Sequence, residues 1–222
     1  MDGSMNIIEP YAKIMDLETR EDGIRLLRKI EWCARVSHAS EDAQTTDSWD
    51  RFLRSVVLTH GDWSVVEHAS VTVDALIDRG ISHEWVRHRI GAYTQSSTRF
   101  INYAKKMEPS FILPLDMNDA ARFYWENGID AAEAAYKNML FAGQPPQIAR
   151  SVFPNALSTR LISTYNLRNL RHFLLMRTTK ESHPQMRQVT IPLLEEVQSK
   201  IPILFEDIMP MAKQSDNLRK MR

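Results

Sequence analysis

The chain has a single cysteine, Cys33, among 222 residues. That rules out an internal disulfide framework and fits a reducing cytoplasm. It also lacks an excess of either charge, since Lys+Arg and Asp+Glu both number 28. Bulk electrostatic binding of nucleic acid is therefore not expected, and any anion recognition must be local. No apolar run approaches membrane-spanning length, and the N-terminus lacks the apolar stretch of a secretory signal. Histidine and cysteine nowhere recur at ligand spacing, so no metal site is expected. Internal repeats, low-complexity segments and dividing linkers are missing as well. The resulting expectation is a cytoplasmic protein with residues 1–222 in one domain, long enough to bury a core. Residues 1–4 read as an added leader ahead of a natural start at Met5, and residues 214–222 as a polar, frayed tail.

What is present predicts an α+β fold, a mixed sheet packed by several helices. Residues 5–17 read as an opening strand with Pro10 at an edge or bend. Ile24, Leu27 and Ile30 mark a helix that closes at Ala-Arg-Val-Ser, 34–37. Asp47 is placed to cap a second helix, whose Trp49, Phe52, Leu53, Val56 and Val57 fall on one face. Ala69, Val71, Val73, Ala75 and Ile77 alternate with polar residues, as in a strand with one dry face. A short strand is expected at 111–115, a long helix at 119–141, a restart at Pro145-Pro146 and a returning strand at 157–165. The last part, from Ser182 to Val197, reads as a helix pair kinked at Pro192.

The densest chemistry lies in residues 82–100, Ser-His-Glu-Trp-Val-Arg-His-Arg-Ile-Gly-Ala-Tyr-Thr-Gln-Ser-Ser-Thr-Arg-Phe. Gly80 is read as a break, Ser82 as an N-cap, Glu84 as a first-turn acid and Gly91 as the stop of a short helix. Arg87, His88 and Arg89 follow one another on it. Residues 93–100 then form a loop of hydroxyl and amide groups that includes Arg99. Guanidinium forks beside Ser96, Ser97 and Thr98 suit a phosphate ester, because Arg binds it through two parallel bonds while hydroxyls and loop N–H groups complete a cradle. The plain alternative is a solvated basic helix end followed by a polar turn.

Two further stretches carry functional groups. In His60-Gly-Asp-Trp-Ser-Val-Val-Glu-His68, Glu67 and His68 stand where a loop enters a sheet. They suit an acid–base pair or a structural hydrogen bond. In Asn166-Leu-Arg-Asn-Leu-Arg-His-Phe-Leu-Leu-Met-Arg177, Leu167, Leu170, Phe173 and Leu174 form a buried stripe. On a helical wheel Asn166 and Arg177 share one side, while Arg168 and His172 face roughly the other.

Arg-His-Arg followed after seven residues by Ser97 resembles the signature of the flavin-dependent thymidylate synthases. Ser64-x-x-Glu67-His68 resembles that family's second motif, and Asn166-x-Arg168 with Arg177 its third. The resemblance runs over roughly residues 30–205. It implies reductive methylation of deoxyuridylate (dUMP) to dTMP, with methylenetetrahydrofolate as carbon donor and FAD reduced by NADPH. Arg177 would polarise the pyrimidine. Glu84, Arg87, Gln95, Ser96, Ser97, Thr98, Arg99, Arg150 and Arg177 would hold dUMP. Ser64, Glu67, Arg87, His88, Arg89, Gln95, Asn166, Arg168 and His172 would hold FAD. A homotetramer with active sites shared between subunits is implied too, and the two-sided helix at 166–177 agrees with it.

The chain departs from the family's usual pattern at Asp62, where a histidine is usual, at Ala92, where serine is frequent, and at Gln95, where glutamate is frequent. The lone thiol lies at a helix end without a neighbouring base, so a cysteine nucleophile is not expected. Two other readings stay open: one-carbon transfer to a different pyrimidine nucleotide, and a non-catalytic nucleic-acid-binding protein with salt-sensitive binding and no chromophore.

Overall fold

In the computed structural model, residues 5–208 are described; the calls on residues 1–4 and 214–222 fall outside them. In chain order the elements are Tyr11–Ile14 (β1), Arg20–Val36 (α1), Ser48–Leu53 (α2), Ser70–Asp78 (β2), Arg79–Trp85 (α3) and Ala92–Gln95 (β3). Asp119–Phe141 (α4), Pro146–Ala149 (α5), Ser158–Asn166 (β4), Leu167–Arg177 (α6) and Pro184–Lys200 (α7) complete them. The strands form one sheet in the order β1-β2-β4-β3. The fold is α+β and the four strands run antiparallel, so the parallel pairing expected of a mixed sheet is confined to a bridge between Ile7 and Phe111.

The chain divides into two compact units. The first comprises the chain up to Tyr11, Ala75–Arg87 and Thr94–Leu161. Its core is aromatic: Tyr103, Phe111, Ile129, Tyr136, Ala149 and Leu157 cluster together, with Phe153 stacked on Tyr136 at 4.4 Å between ring centres. Helix α4 starts where Asn118 caps it, the side chain accepting from the Ala121 N–H. It buries Ile129 and Tyr136 but leaves Phe123, Tyr124 and Phe141 exposed.

The second unit comprises Ala12–Asp74, His88–Tyr93 and the chain from Ile162 on. Thr19 and Asp22 form a capping box that starts α1, and Leu27, Ile30 and Ala34 bury its inner face. Gly23 lets α1 approach α7 closely, because a Cβ there would lie 1.9 Å from the Lys200 carbonyl oxygen. A buried carboxylate, Glu31, ties α1 to α2: it accepts from Arg35 at 2.8 Å, Ser48 Oγ at 2.6 Å and Gln44 Nε2 at 3.2 Å. The stripe expected on α6 is buried in full, Leu167, Leu170, Phe173 and Leu174 all being closed to solvent. These contacts fix α6 firmly, since each such side chain contributes about 1.5–3 kcal/mol on burial.

Five local expectations are corrected. The N-cap of α3 is Asp78, whose carboxylate accepts from the Ile81 N–H at 2.8 Å; Gly80 and Ser82 lie inside the helix. Residues 92–95 are a strand, not a loop, paired to β4. The strand expected at 111–115 is reduced to isolated bridges at Phe111. Helix α7 runs unbroken through Pro192, rather than as a kinked pair of helices. Gly91 does not end a helix, since α3 stops at Trp85. It is needed for space: a Cβ there would come within 2.9 Å of the Tyr165 ring.

Candidate active site

In the first unit the candidate nucleotide ligands sit on and after β3. The Ser96 N–H donates to the Arg160 carbonyl at 2.9 Å, which sets the register of the strand end. The chain then turns, with the Phe100 and Ile101 N–H groups donating to the Ser97 carbonyl. Thr98 is buried, and its Oγ1 accepts from Arg150 Nη1 at 3.0 Å. Arg99 Nε donates to Gln147 Oε1 at 3.2 Å. Two arginines from stretches far apart in sequence are thus held against one hydroxyl-rich turn, each aligned by a neutral partner that leaves its charge uncompensated. Glu84 and Arg87 lie at the end of α3, where the Arg87 N–H donates to the Glu84 carbonyl.

Gln95 is half-buried and donates from Nε2 to Ser82 Oγ at 2.9 Å and to Thr159 Oγ1 at 3.1 Å. Neither hydroxyl was named from the sequence as a partner of Gln95: Ser82 was read only as an N-cap, and no local signal marks Thr159. Gln147 was missed as well, although it stands one helical turn before Arg150 and its face was open to the same wheel argument.

In the second unit the candidate catalytic arginine and one other candidate flavin ligand, His172, come together at His88. Arg177 Nε donates to His88 Nε2 at 2.9 Å. The His88 ring packs edge-on against Phe173 at 4.9 Å and lies 5.8 Å from the His172 ring. Tyr93 reinforces this turn, its hydroxyl donating to the His88 carbonyl and accepting from the Tyr165 hydroxyl at 3.2 Å. Burial, then the Arg177 charge, then His172, push His88 down from 6.5 to about 4. Its imidazole is therefore neutral near pH 7, as an acceptor for Arg177 must be.

This geometry corrects the wheel argument for α6. His172 and Arg177 both reach His88, so they do not serve opposite sides. Asn166 is the N-cap of α6, its Oδ1 accepting from the Asn169 N–H and from Asn169 Nδ2, both at 2.9 Å. Only its own amide N–H₂ remains to donate to a ligand. Arg168 pairs with Glu67 at 2.6 Å, both about half exposed. Ser64, His68 and Arg89 are exposed, and no contact draws Ser64 or Arg89 into this group. Asp62 is exposed at the turn ahead of Ser64. Cys33 is a free, partly buried thiol in the last turn of α1. No group of three or more metal-ligating side chains occurs among the described residues, and no helix there is long and apolar enough to cross a membrane.

Arginine forks on hydroxyl-rich turns and an imidazole-aligned arginine define an α+β protein suited to phosphorylated, charge-developing ligands. Comparison with known proteins narrows this. Residues 25–203 match the family described as thymidylate synthase complementing protein. The chain is similar to the flavin-dependent thymidylate synthase of Pyrococcus furiosus, 31% identical over 85% of this chain and 79% of that protein. It is 32% identical to that of Corynebacterium aurimucosum over 87% of this chain and 84% of the relative. With that of Saccharolobus solfataricus it shares 34% identity over 75% of this chain and 64% of the relative. The chain belongs to the thymidylate synthase complementing protein family.

Proposed function

We propose that this protein converts dUMP to dTMP by reductive methylation, with methylenetetrahydrofolate as carbon donor and FAD reduced by NADPH. The observation that carries the reading is the Arg177–His88 pair. A guanidinium aligned by a neutral acceptor is a fixed positive charge that needs no reorganisation when negative charge develops on the pyrimidine. The family match and the names of the relatives supply the reaction; this pair supplies a residue able to promote it.

The donor set of the second unit fits a flavin dinucleotide. Arg168 and Arg89 offer exposed guanidiniums for a diphosphate, His88 and His172 offer rings, and Asn166 offers an amide N–H₂. Ser64, Glu67, Arg87 and Gln95 complete the proposed flavin set. When bound and reduced by NADPH, the flavin would supply the hydride that takes the transferred carbon from the methylene to the methyl level. Glu84, Arg87, Gln95, Ser96, Ser97, Thr98, Arg99, Arg150 and Arg177 hold dUMP: the arginines neutralise its phosphate, and Arg177 polarises the ring. Cys33 has no part, being partly buried in a helix end rather than poised beside a base.

The active enzyme is a homotetramer whose subunits share sites. The aromatic residues that α4 leaves exposed, Phe123 at 60%, Tyr124 at 74% and Phe141 at 95%, support such an assembly, because apolar surface of that size calls for a partner.

The test is anaerobic. The flavin of the purified protein is reduced, dUMP and methylenetetrahydrofolate are added, and reoxidation is followed while the nucleotide is weighed by mass spectrometry. Reoxidation with a dTMP product is expected. A different methylated or hydroxymethylated nucleotide would overturn the substrate assignment, and failure to take up FAD would overturn the reaction.

A further inference from the structure

The short turn Trp63–His68, which carries Ser64, Glu67 and His68, meets α6 through two arginines one helical turn apart. Arg168 pairs with Glu67 near the end of the turn. Arg171 lies over the Trp63 indole at its start, with the guanidinium carbon 4.7 Å from the ring centre. The two arginines are held differently. Arg168 is about half exposed, whereas the Arg171 side chain is only 13% exposed and is locked from behind. Its Nη1 donates to the Leu204 carbonyl at 2.7 Å and to Asp207 Oδ1 at 2.6 Å, and its Nη2 donates to Asp207 Oδ2. A guanidinium bound along its edge in this way leaves a flat face to lie on the indole. Asp207 is itself fixed in place. Ile203, Leu204 and Phe205 are buried, and Gln198 Nε2 donates to the Phe205 and Ile208 carbonyls, on either side of Asp207, at 2.9 and 2.8 Å. Arg171 holds the Asp207 carboxyl below the usual carboxylate range, so the pair is charged at neutral pH. All these residues belong to the second unit, and Leu204 and Asp207 lie past residue 203, where the family match ends.

We infer that Arg171 is a positioning residue for cofactor binding: locked by Asp207 and the Leu204 carbonyl, it holds Trp63 and keeps the turn that carries Ser64 and Glu67 against α6. This rests on the FAD reading given above. The physical reason is a difference in what the two arginines must do. To give its charge to a diphosphate, Arg168 must release Glu67, and the end of the turn then loses that tie to α6. The contact between Arg171 and Trp63 is not drawn away by an anion, because Asp207 already offsets the guanidinium charge and the indole carries none. The start of the turn therefore stays in place while its end changes partners. Arg171 touches no ligand in this scheme. It acts through Trp63, and the segment from Ile201 to Ile208 acts through Arg171.

The experiment titrates the flavin-free full chain with FAD, followed by flavin fluorescence, alongside the thermal midpoint. The fluorine spectrum of protein labelled with 5-fluorotryptophan is recorded as well, with Trp63→Leu assigning the Trp63 line. Arg171→Leu is expected to weaken FAD binding about tenfold and to shift the Trp63 line. Arg171→Lys, which keeps the charge but not the fork, should recover little of this. Asp207→Asn, at a carboxylate 62% exposed, loosens the fork with an expected loss of about threefold, and it keeps the test decisive should Arg171→Leu fail to fold. In a Trp63→Leu chain, Arg171→Leu should weaken FAD binding little further, since the contact is already gone. Losses that add in the double variant would overturn the inference. So would a lowered midpoint with unchanged FAD affinity and an unmoved Trp63 line, which would leave Arg171 a structural tie for residues 201–208. A wild-type chain that takes up no FAD would instead overturn the flavin reading and this inference with it.

Discussion

The two units hold their candidate functional groups by different means. In the first, arginines and an amide are aligned by neutral oxygens: Thr98 for Arg150, Gln147 for Arg99, Ser82 and Thr159 for Gln95. Alignment of that kind fixes direction without cancelling charge, so the positive field stays available to an incoming anion. In the second unit one candidate arginine, Arg168, is aligned by a carboxylate. Another, Arg177, donates to an imidazole that burial keeps neutral. A carboxylate partner offsets part of an arginine's charge, whereas a neutral imidazole adds no charge of its own. Arg168 must therefore exchange partners before it can give its full charge to an anionic ligand.

The sharpest way to test this contrast is to remove Arg177. Arg177→Ala is expected to lower kcat by about 10²–10³-fold, the range for deleting one preorganised donor at developing charge. FAD absorbance should stay largely intact. Arg177→Lys should recover little, because a point charge lacks the Nε–H that meets His88. Loss of the flavin from Arg177→Ala would show that this arginine belongs with the cofactor ligands. A smaller effect is expected in the first unit. Arg150→Ala should raise the KM for dUMP by about 10–100-fold, the worth of a charge-assisted hydrogen bond, and change kcat less. Equal losses in kcat and kcat/KM would mean that Arg150 acts in the transition state and would erase the distinction between the units.

How much of this could be read beforehand depended on how local each cause is. Helices α1, α4 and α6 were legible because their apolar spacing or their composition lies within a dozen or so consecutive residues. Helix α3 was misjudged because Ser82 looks like a cap, while the working cap, Asp78, ends a strand that reads as continuous apolar alternation. Strand β3 was missed because its residues are polar or small on both faces, and only pairing with β4 makes it a strand. Helix α7 passes through Pro192 because tertiary burial of Val189, Leu193, Leu194 and Val197 outweighs the local cost of proline. The candidate site shows the same division. Arg87, His88, Arg89, Ser97 and Arg177 were legible as types in a motif. The bonds that align them were not, since Thr98 and Arg150 are 52 residues apart and His88 and Arg177 are 89 apart.

The smallest predicted effect is the one that separates a neutral aligner from a charged one. His88 is held at about 4 when folded, against 6.5 for a free imidazole. Between those values the unfolded chain binds the proton and the native protein does not, so stability falls as pH drops from 6.5 towards 4. Above 6.5 both states are neutral there and the contribution to the slope vanishes. The groups facing the ring are Arg177, His172 and Phe173, and the two that can carry charge both oppose its protonation. His88→Asn keeps a carbonyl acceptor for Arg177 but cannot titrate. Denaturant titrations from pH 4 to 8 should therefore show the wild type losing stability on acidification more steeply than His88→Asn, with the two curves parallel above pH 6.5. Parallel curves throughout would mean that His88 protonates freely in the native state, and that Arg177 is aligned by something other than a neutral imidazole.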